Sequence, residues 1–161
     1  MRKRTKWLLL SLLILVIVLF ALHRFYIYVL QDTWASENAV IEQAKQETDL
    51  VQGDKVWKSV WDEVCWVVQG KDASGREMMV WLREGHTPEV RLLTEGVSED
   101  QVRGIINKSL PGINIVRLVP GIYNERLVWQ LFYKQKDHHY YRFYDFGTGE
   151  ALEDVFTLPN R

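Results

Sequence analysis

Cysteine is the residue that the sequence has least of: Cys65 stands alone among 161 residues. A single cysteine cannot form an intramolecular disulfide, which excludes a disulfide-stabilised fold. Cys65 lies in the apolar segment 64–68, which is typical of a strand, and its surroundings are not rich in charges that would activate a thiol. We therefore predict a buried, unreactive thiol.

Acidic residues are missing from the first 31 positions, and all 21 of them follow. The segment 31–161 holds 21 acidic against 15 basic residues, so its net charge is −6. A surface of this sign disfavours nucleic acid, and it disfavours docking by charge on anionic lipid or wall polymers. The simplest interpretation is a solvated, soluble surface.

Charge is also missing from residues 7–22, WLLLSLLILVIVLFAL, which follow a start with four basic residues. A helix of this length covers about 24 Å of a hydrocarbon core of about 30 Å, and flanking side chains can make up the difference by snorkelling. The positive-inside rule places the basic end in the cytoplasm. We predict a cytoplasmic segment 1–6, a transmembrane anchor with its interface at 7–30, and an extracytoplasmic remainder of a single-pass cell-membrane protein.

The alternative for this apolar run is a cleaved signal peptide. Ala21 is followed by the bulky Leu22, and the nearest small-x-small site is Thr33-Trp34-Ala35. That site ends thirteen residues beyond Leu22 and falls within a predicted helix. An uncleaved signal-anchor therefore fits the sequence better.

The sequence contains no pattern typical of a catalytic or metal site. His138 and His139 are adjacent, and neighbouring strand side chains point to opposite faces, so the two imidazoles are poorly placed to share an ion. No histidine can be assigned to a serine or to Cys65 as a nucleophile and base, and Asp62-Glu63 fits the polar corner of a hairpin. We predict a protein that is not an enzyme and that holds no cofactor or metal.

Periodicity divides the segment 31–161 into two helices and several strands. One helix is predicted from 31 to about 50, ended by Gly53. The second begins at Ser98, which forms a capping box with Gln101. Segment 70–75 indicates a hairpin loop. The predicted strands are 55–61, 64–69, 77–82, 89–93, 113–119, 126–133, 139–146 and 150–156.

The order of a helix followed by strands occurs twice, and the residues agree as well as the order. The matching pairs of segments are 36–40 with 98–102 at an offset of 62, and 65–68 with 128–131 and 78–81 with 141–144 at an offset of 63. The sequence therefore predicts an α+β fold of two duplicated modules, 31–95 and 96–161. Each module would be a helix packed on a small antiparallel sheet.

The two-residue period of a strand predicts which side chains face the helix of each module. We assign Met78, Val80 and Leu82 to the helix-covered face of the first sheet, and Tyr141 and Phe143 to that of the second. The open faces would then carry Met79, Trp81, Arg83, Tyr140, Arg142 and Tyr144.

Aromatic residues on these open faces are candidates for contact with another protein. Trp66 and Trp129 occupy matching strand positions and are assigned to the core instead. The candidate partner-binding residues are Trp57, Trp61, Trp81, Tyr140, Arg142 and Tyr144. The alternative is that the two modules bury these faces against each other or under a loop.

Particular segments resemble two known families. Segment 144–152, YDFGTGEAL, resembles the strand and turn that end a PepSY domain, because Asp145 precedes a Thr-Gly turn at Thr148-Gly149. The first module lacks this turn. The whole chain is similar to the YpmB/TseB-like family of small membrane-anchored proteins of Gram-positive bacteria. The features that carry this similarity are the basic start, the single span, AKQETDL at 44–50, VVQGKD at 67–72 and GVSED at 96–100.

The resemblance to the YpmB/TseB-like family implies a pair of cystatin-like α+β modules outside the membrane. It also implies a non-enzymatic role in regulating cell-wall elongation, with a penicillin-binding transpeptidase as the partner. Two alternatives stay open. PepSY and cystatin-like folds suggest by analogy an inhibitor or chaperone of an exported protease. A pocket between the modules would suit a sensor of a small wall fragment.

Overall fold

The computed structural model describes the backbone of residues 3–159 and the side chains of residues 7, 12–25 and 36–159. The chain divides into two compact units, Met1–Ala39 and Val40–Arg161. Parts of the predicted cytoplasmic segment and membrane anchor, residues 1–6, 8–11 and 26–30, lie outside the residues whose side chains are described. In the part that is described, no helix is both long and apolar enough to cross a membrane.

Helix α1 spans Lys3–Glu47. Its residues 3–39 belong to the first unit, and its residues 40–47 belong to the second. Its end near residue 50 was predicted, but the predicted stop at Gly53 is wrong. The Thr48 hydroxyl donates to the Ala44 carbonyl over 2.6 Å and accepts the Leu50 amide over 3.2 Å, which turns the chain into the first strand. Gly53 lies inside that strand.

The second unit contains two four-stranded sheets, and every strand pair in them is antiparallel. Each sheet follows chain order, and the predicted α+β class is confirmed. The first sheet consists of β1 (Leu50–Ser59), β2 (Cys65–Asp72), β3 (Glu77–Arg83) and β4 (Glu89–Leu92). A 3-10 turn (Leu93–Glu95) and helix α2 (Glu99–Ser109) follow. The second sheet consists of β5 (Asn114–Tyr123), β6 (Arg126–Gln135), β7 (His138–Asp145) and β8 (Ala151–Leu158).

Helix α2 begins with the predicted capping box. The Ser98 hydroxyl accepts the Gln101 amide over 3.3 Å, and the Gln101 side chain accepts the Ser98 amide over 2.7 Å. Two otherwise unsatisfied amides at the helix start are thereby bonded. The buried residues of this helix are Val102 and Ile106, which pack in one cluster with residues of both sheets.

The facing prediction is confirmed for the first sheet. Met78, Val80 and Leu82 form one buried cluster with Val40 and Ala44 from the end of α1. These three residues of β3 therefore face the end of α1, as the two-residue period of a strand requires.

The facing prediction is wrong for the second sheet. Tyr144, assigned to the open face, packs in one cluster with Val102 and Ile106 of α2. Phe143, assigned to the helix side, packs with Tyr123 and Val128 in a cluster that contains no residue of α2.

The error comes from the length of one hairpin. Trp66 pairs with Leu82, sixteen residues later, whereas Trp129 pairs with Tyr144, fifteen residues later. Tyr144 therefore corresponds to Leu82 and not to Trp81. A shift of one residue moves every side chain of a strand to the opposite face.

A central core is shared by both sheets and α2. Its buried members include Val67, Met79 and Trp81 from the first sheet, and Trp129 and Leu131 from the second. The alternative interpretation, burial of the assigned open faces against each other, is therefore what the structure shows for the sheet faces that carry Trp81 and Tyr144. Trp129 is in the core as predicted, and Trp66 packs half-buried against the α1-side cluster.

Cys65 is fully buried in the central core, as predicted. Burial disfavours the charged thiolate and raises the pKa of the Cys65 thiol to about 12, although the nearby Arg83 acts in the opposite direction.

We expect the folded protein to resist alkylation by iodoacetamide at about pH 8, where only about one thiol in ten thousand is ionised. Mass spectrometry of samples with and without concentrated urea provides the measurement and its internal control. Equal labelling in both samples would contradict the buried position of Cys65.

Candidate interaction surface

The six predicted partner-binding residues do not lie on one surface. Trp81 and Tyr144 are 1% and 0% exposed, so the expected exposure of these two rings is wrong. Trp81 packs edge-on against Phe146, with ring centroids 4.9 Å apart. The physical reason is the central core, in which the second sheet and α2 cover the face that carries Trp81.

Trp57 lies at the margin of this core. Its ring is half-buried, perpendicular to that of Trp129 at 6.3 Å, and Lys55 Nζ lies 5.8 Å from the ring centre. It therefore presents only part of one ring to solvent.

Tyr140 and Arg142 are half-buried on the face of the second sheet that α2 partly covers. Tyr140 stacks on Tyr133 at 5.3 Å, and the Arg142 guanidinium lies 5.9 Å from the Tyr144 ring centre. Burial raises the pKa of Tyr133, and the positive charge of Arg142 opposes that rise. The strand period places both candidates together, but away from Trp61.

Trp61 lies on the opposite face of the second sheet. It belongs to the loop 60–64 between β1 and β2, and its ring contacts Tyr141 at 4.7 Å and both Phe143 and Phe156 at 5.1 Å. A loop of the first sheet thereby covers part of the second sheet.

Around Trp61 the second sheet presents a continuous set of rings, which we call the aromatic face. Phe132 stacks on Tyr141 at 4.6 Å and on His139 at 5.4 Å, because cross-strand neighbours on one face lie side by side. Phe156 is 37% exposed, and the other rings are half-buried. The aromatic face consists of Trp61, Phe132, His139, Tyr141 and Phe156.

The loop 60–64 is held by the two carboxylates that directly follow Trp61. The Glu63 carboxylate accepts Arg83 Nη1 over 2.8 Å, and the Asp62 carboxylate accepts the Asn124 amide over 2.7 Å. Arg83, only 9% exposed at its side chain, also pairs with Glu89 and Glu125, each over 3.1 Å. The Glu63 hydrogen bond is the main cause that raises the pKa of Arg83. Asp62 and Glu63 are therefore the polar corner that the sequence suggested.

A small pocket lies beside Trp61 where the two sheets meet. Its volume is about 60 Å³, and its lining includes Ser59, Arg117 and Gln130. Gln130 Nε2 donates to the Ser59 hydroxyl over 2.8 Å, and both side chains are buried. Small-molecule sites usually enclose at least about 300 Å³, so this pocket does not favour the small-ligand sensor.

The turn before β8 is organised as predicted. One oxygen of Asp145 accepts the amides of Gly147 and Thr148, each over 2.9 Å, and Gly149 has a φ of +75°. Glycine reaches this left-handed conformation without steric cost. The turn fixes the direction in which β8 returns along β7.

His138 and His139 point to opposite faces of β7, as the strand period predicts. His139 stacks on Phe132, whereas His138 lies 6.4 Å from Tyr140. Within the side chains that the structure describes, no group of three or more His, Cys, Asp or Glu residues is arranged to hold a metal ion.

Four residues of the aromatic face were missed by sequence reasoning: Phe132, His139, Tyr141 and Phe156. The sequence shows that aromatic side chains alternate between the two faces of β7. It does not show which of the two faces lies towards α2. The fifth, Trp61, was predicted as an exposed aromatic residue at the end of the strand 55–61, whereas the structure places it in the loop after β1.

Comparison with known proteins places the chain among its relatives. The model of the family described as "Cell wall elongation regulator TseB-like domain" matches residues 41–83. Over 124 residues the chain is 31% identical to the "Probable cell wall elongation regulator TseB" of Bacillus subtilis (strain 168). The aligned residues cover 73% of this chain and 74% of that protein. The chain belongs to the TseB-like family.

A solved TseB-like structure has a similar fold. The YpmB protein from Bacillus subtilis matches with a TM-score of 0.66 and 28% identity, over 75% of this chain and 96% of that chain. In the TseB-like chain described here, the segment 41–83 runs from α1 to the end of β3. It includes both the Trp61 loop and Arg83, whereas the strands that form the rest of the aromatic face follow it.

Proposed function

We propose that this TseB-like protein is a membrane-anchored, extracytoplasmic and non-enzymatic regulator of cell-wall elongation. It acts by binding a penicillin-binding transpeptidase. The observation that carries the regulatory role is the 31% identity to a relative named as a probable cell wall elongation regulator. The transpeptidase partner rests on the resemblance to the YpmB/TseB-like family.

Membrane anchoring is supported by the apolar run 7–22 and the four basic residues before it. In α1, the large apolar side chains of residues 12–20 are all exposed, from 48% for Val18 to 66% for Phe20. A helix that is apolar on all sides suits a hydrocarbon environment. The acidic remainder, 31–161, then lies outside the cytoplasm.

A duplicated cystatin- or PepSY-like architecture, with modules at 31–95 and 96–161, is supported by the identical strand order of the two sheets. The Asp145 turn of the second module is the local feature that resembles a PepSY ending.

A non-enzymatic role is supported by how the reactive groups are used. The Cys65 thiolate is strongly disfavoured, and the Asp62 and Glu63 carboxylates are engaged in hydrogen bonds that hold a loop. The aromatic face offers partly exposed aromatic rings, which protein interfaces commonly use.

Capture from membranes tests this function. The full chain, solubilised in mild detergent, is expected to retain a protein that fluorescent penicillin labels. Trp61→Ala should weaken retention about tenfold or more, since a central tryptophan is a typical hot spot. Trp66→Ala is the matched control, because Trp66 is half-buried on the α1 side of the first sheet, and it should leave retention within about twofold of wild type.

Three results would contradict the proposal. One is retention of no penicillin-labelled protein, another is retention of an exported protease in its place, and the third is equal loss in both tryptophan variants. Anchoring and orientation are measured separately, by protease accessibility of residues 31–161 in intact cells and in lysed cells.

A further inference from the structure

Four strands lie at sheet edges: β1, β4, β5 and β8. Two of these edges protect each other, because β1 and β5 are in contact and Arg117 of β5 donates to the Lys58 carbonyl of β1 over 2.8 Å. The edge strand β4 is only four residues long. The remaining edge strand, β8, is eight residues long.

Strand β8 lacks some of the features that usually block an edge, although it carries Glu153 and Asp154 and its pairing with β7 is irregular between Ala151 and Val155. Ala151–Leu158, ALEDVFTL, contains no proline, lysine or glycine, and every residue except Leu152 is exposed. Its large apolar residues Val155, Phe156 and Leu158 are 45%, 37% and 37% exposed. Proteins normally protect such an edge, because its unpaired amides and carbonyls can pair with another strand.

Strand β8 is also held in place before any partner arrives. Residues 155–158 pair in regular register with β7, from Val155 opposite Arg142 to Leu158 opposite His139. The pairing is irregular between Val155 and Ala151, which lies opposite Tyr144, and the Asp145 turn fixes the start of the strand. The Tyr123 hydroxyl donates to the Asp154 carboxylate over 2.8 Å. An edge that is already ordered costs little conformational entropy when it binds.

Charge indicates what this edge accepts. The segment 146–159 contains Glu150, Glu153 and Asp154 and no basic residue. Two copies of the chain paired through β8 would bring their acidic residues together, which is unfavourable. A basic strand from a different protein would complement them.

We propose that β8 binds an extended, basic segment of the protein partner as a fifth strand of the second sheet. A lysine or arginine of that segment lies opposite Glu153, and an apolar side chain rests on the aromatic face beside Phe156. The proposal rests on the proposed function in one respect, that the partner is a protein.

Photo-crosslinking tests the strand geometry. A photoreactive residue is placed at position 155 or 157 of the full chain in cells, where the pairing with β7 is regular, and at exposed Lys108 of α2 as the control. The step of two residues from 155 to 157 should move the attachment site on the partner by two residues along one extended segment. Attachment sites without this order, or attachment to a second copy of the chain, would overturn the proposal.

Charge reversal tests the chemistry. Glu153→Lys should weaken capture of the penicillin-labelled protein about tenfold, or about 1.4 kcal/mol, and raised salt should weaken wild-type capture. Glu84→Lys, at another exposed acidic position, is the matched control and should have little effect. Equal capture by both variants would overturn the basic-segment assignment.

The outcomes separate the two proposals. If no penicillin-labelled protein is captured but ordered crosslinks reach another protein, strand addition stands and the proposed function fails. If capture succeeds without ordered crosslinks at β8, the proposed function stands and strand addition fails.

Discussion

Trp129→Ala is expected to lower the free energy of unfolding by about 3–5 kcal/mol. Trp129 is 1% exposed, and its indole N–H donates to the Val97 carbonyl over 2.9 Å. Removal of the ring leaves a cavity in the core shared by both sheets, and it also leaves a carbonyl without its donor.

Thermal unfolding of the full chain in detergent, followed by circular dichroism, measures this loss. A fall of about 10 °C or more in the melting temperature is expected for a chain of this size. Trp57→Ala is the matched control, because Trp57 contacts Trp129 but is half-buried. If the two variants melted together, Trp129 would not have the central position described.

Gly70→Ala is expected to destabilise the second unit by about 3 kcal/mol, although it adds a single methyl group. Gly70 of β2 lies opposite Gly53 of β1. A Cβ at Gly70 would overlap the Gln52 carbonyl oxygen and lie 2.8 Å from Leu50 Cδ1. The overlap is with backbone, so the β1–β2 pair itself must move.

Gly104→Ala provides a control with the opposite expected sign. Gly104 lies in α2, and a Cβ there would meet nothing within 4 Å. Alanine in a helix interior is favoured over glycine by about 0.5–1 kcal/mol, so this variant should melt at or above the wild-type temperature. The same measurement serves both variants, and equal melting temperatures would contradict the close approach of β1 and β2 at Gly70.

Features set by neighbouring residues could be predicted from the sequence. The Ser98–Gln101 capping box and the Asp145 turn each depend on residues within a few positions of one another. The strands were found for the same reason, since alternation is local. Their predicted ends differ from the observed ends where pairing extends a strand, as in β5, which runs to Tyr123 instead of residue 119.

Features set by distant residues could not be predicted. The facing of β7 depends on one residue of hairpin length. The burial of Trp81 depends on contact with Phe146, which lies in the turn after β7. The aromatic face joins Trp61 to Phe156, which no local pattern connects. The candidate partner-binding residues were chosen because they are aromatic or basic. In the structure, some of them lie in the central core and the others lie on two separate faces.

The central core limits which substitutions this chain can accept. Trp81 of one sheet and Phe146 beside the other meet at 4.9 Å, so a change of volume on one side must be matched on the other. Arg83 adds a second link, because its carboxylate partners Glu63 and Glu125 come from both halves of the chain. The two sheets of this chain are therefore mutually dependent. Replacement of one half by the corresponding residues of a relative is expected to disturb these contacts, even where each half keeps its own fold.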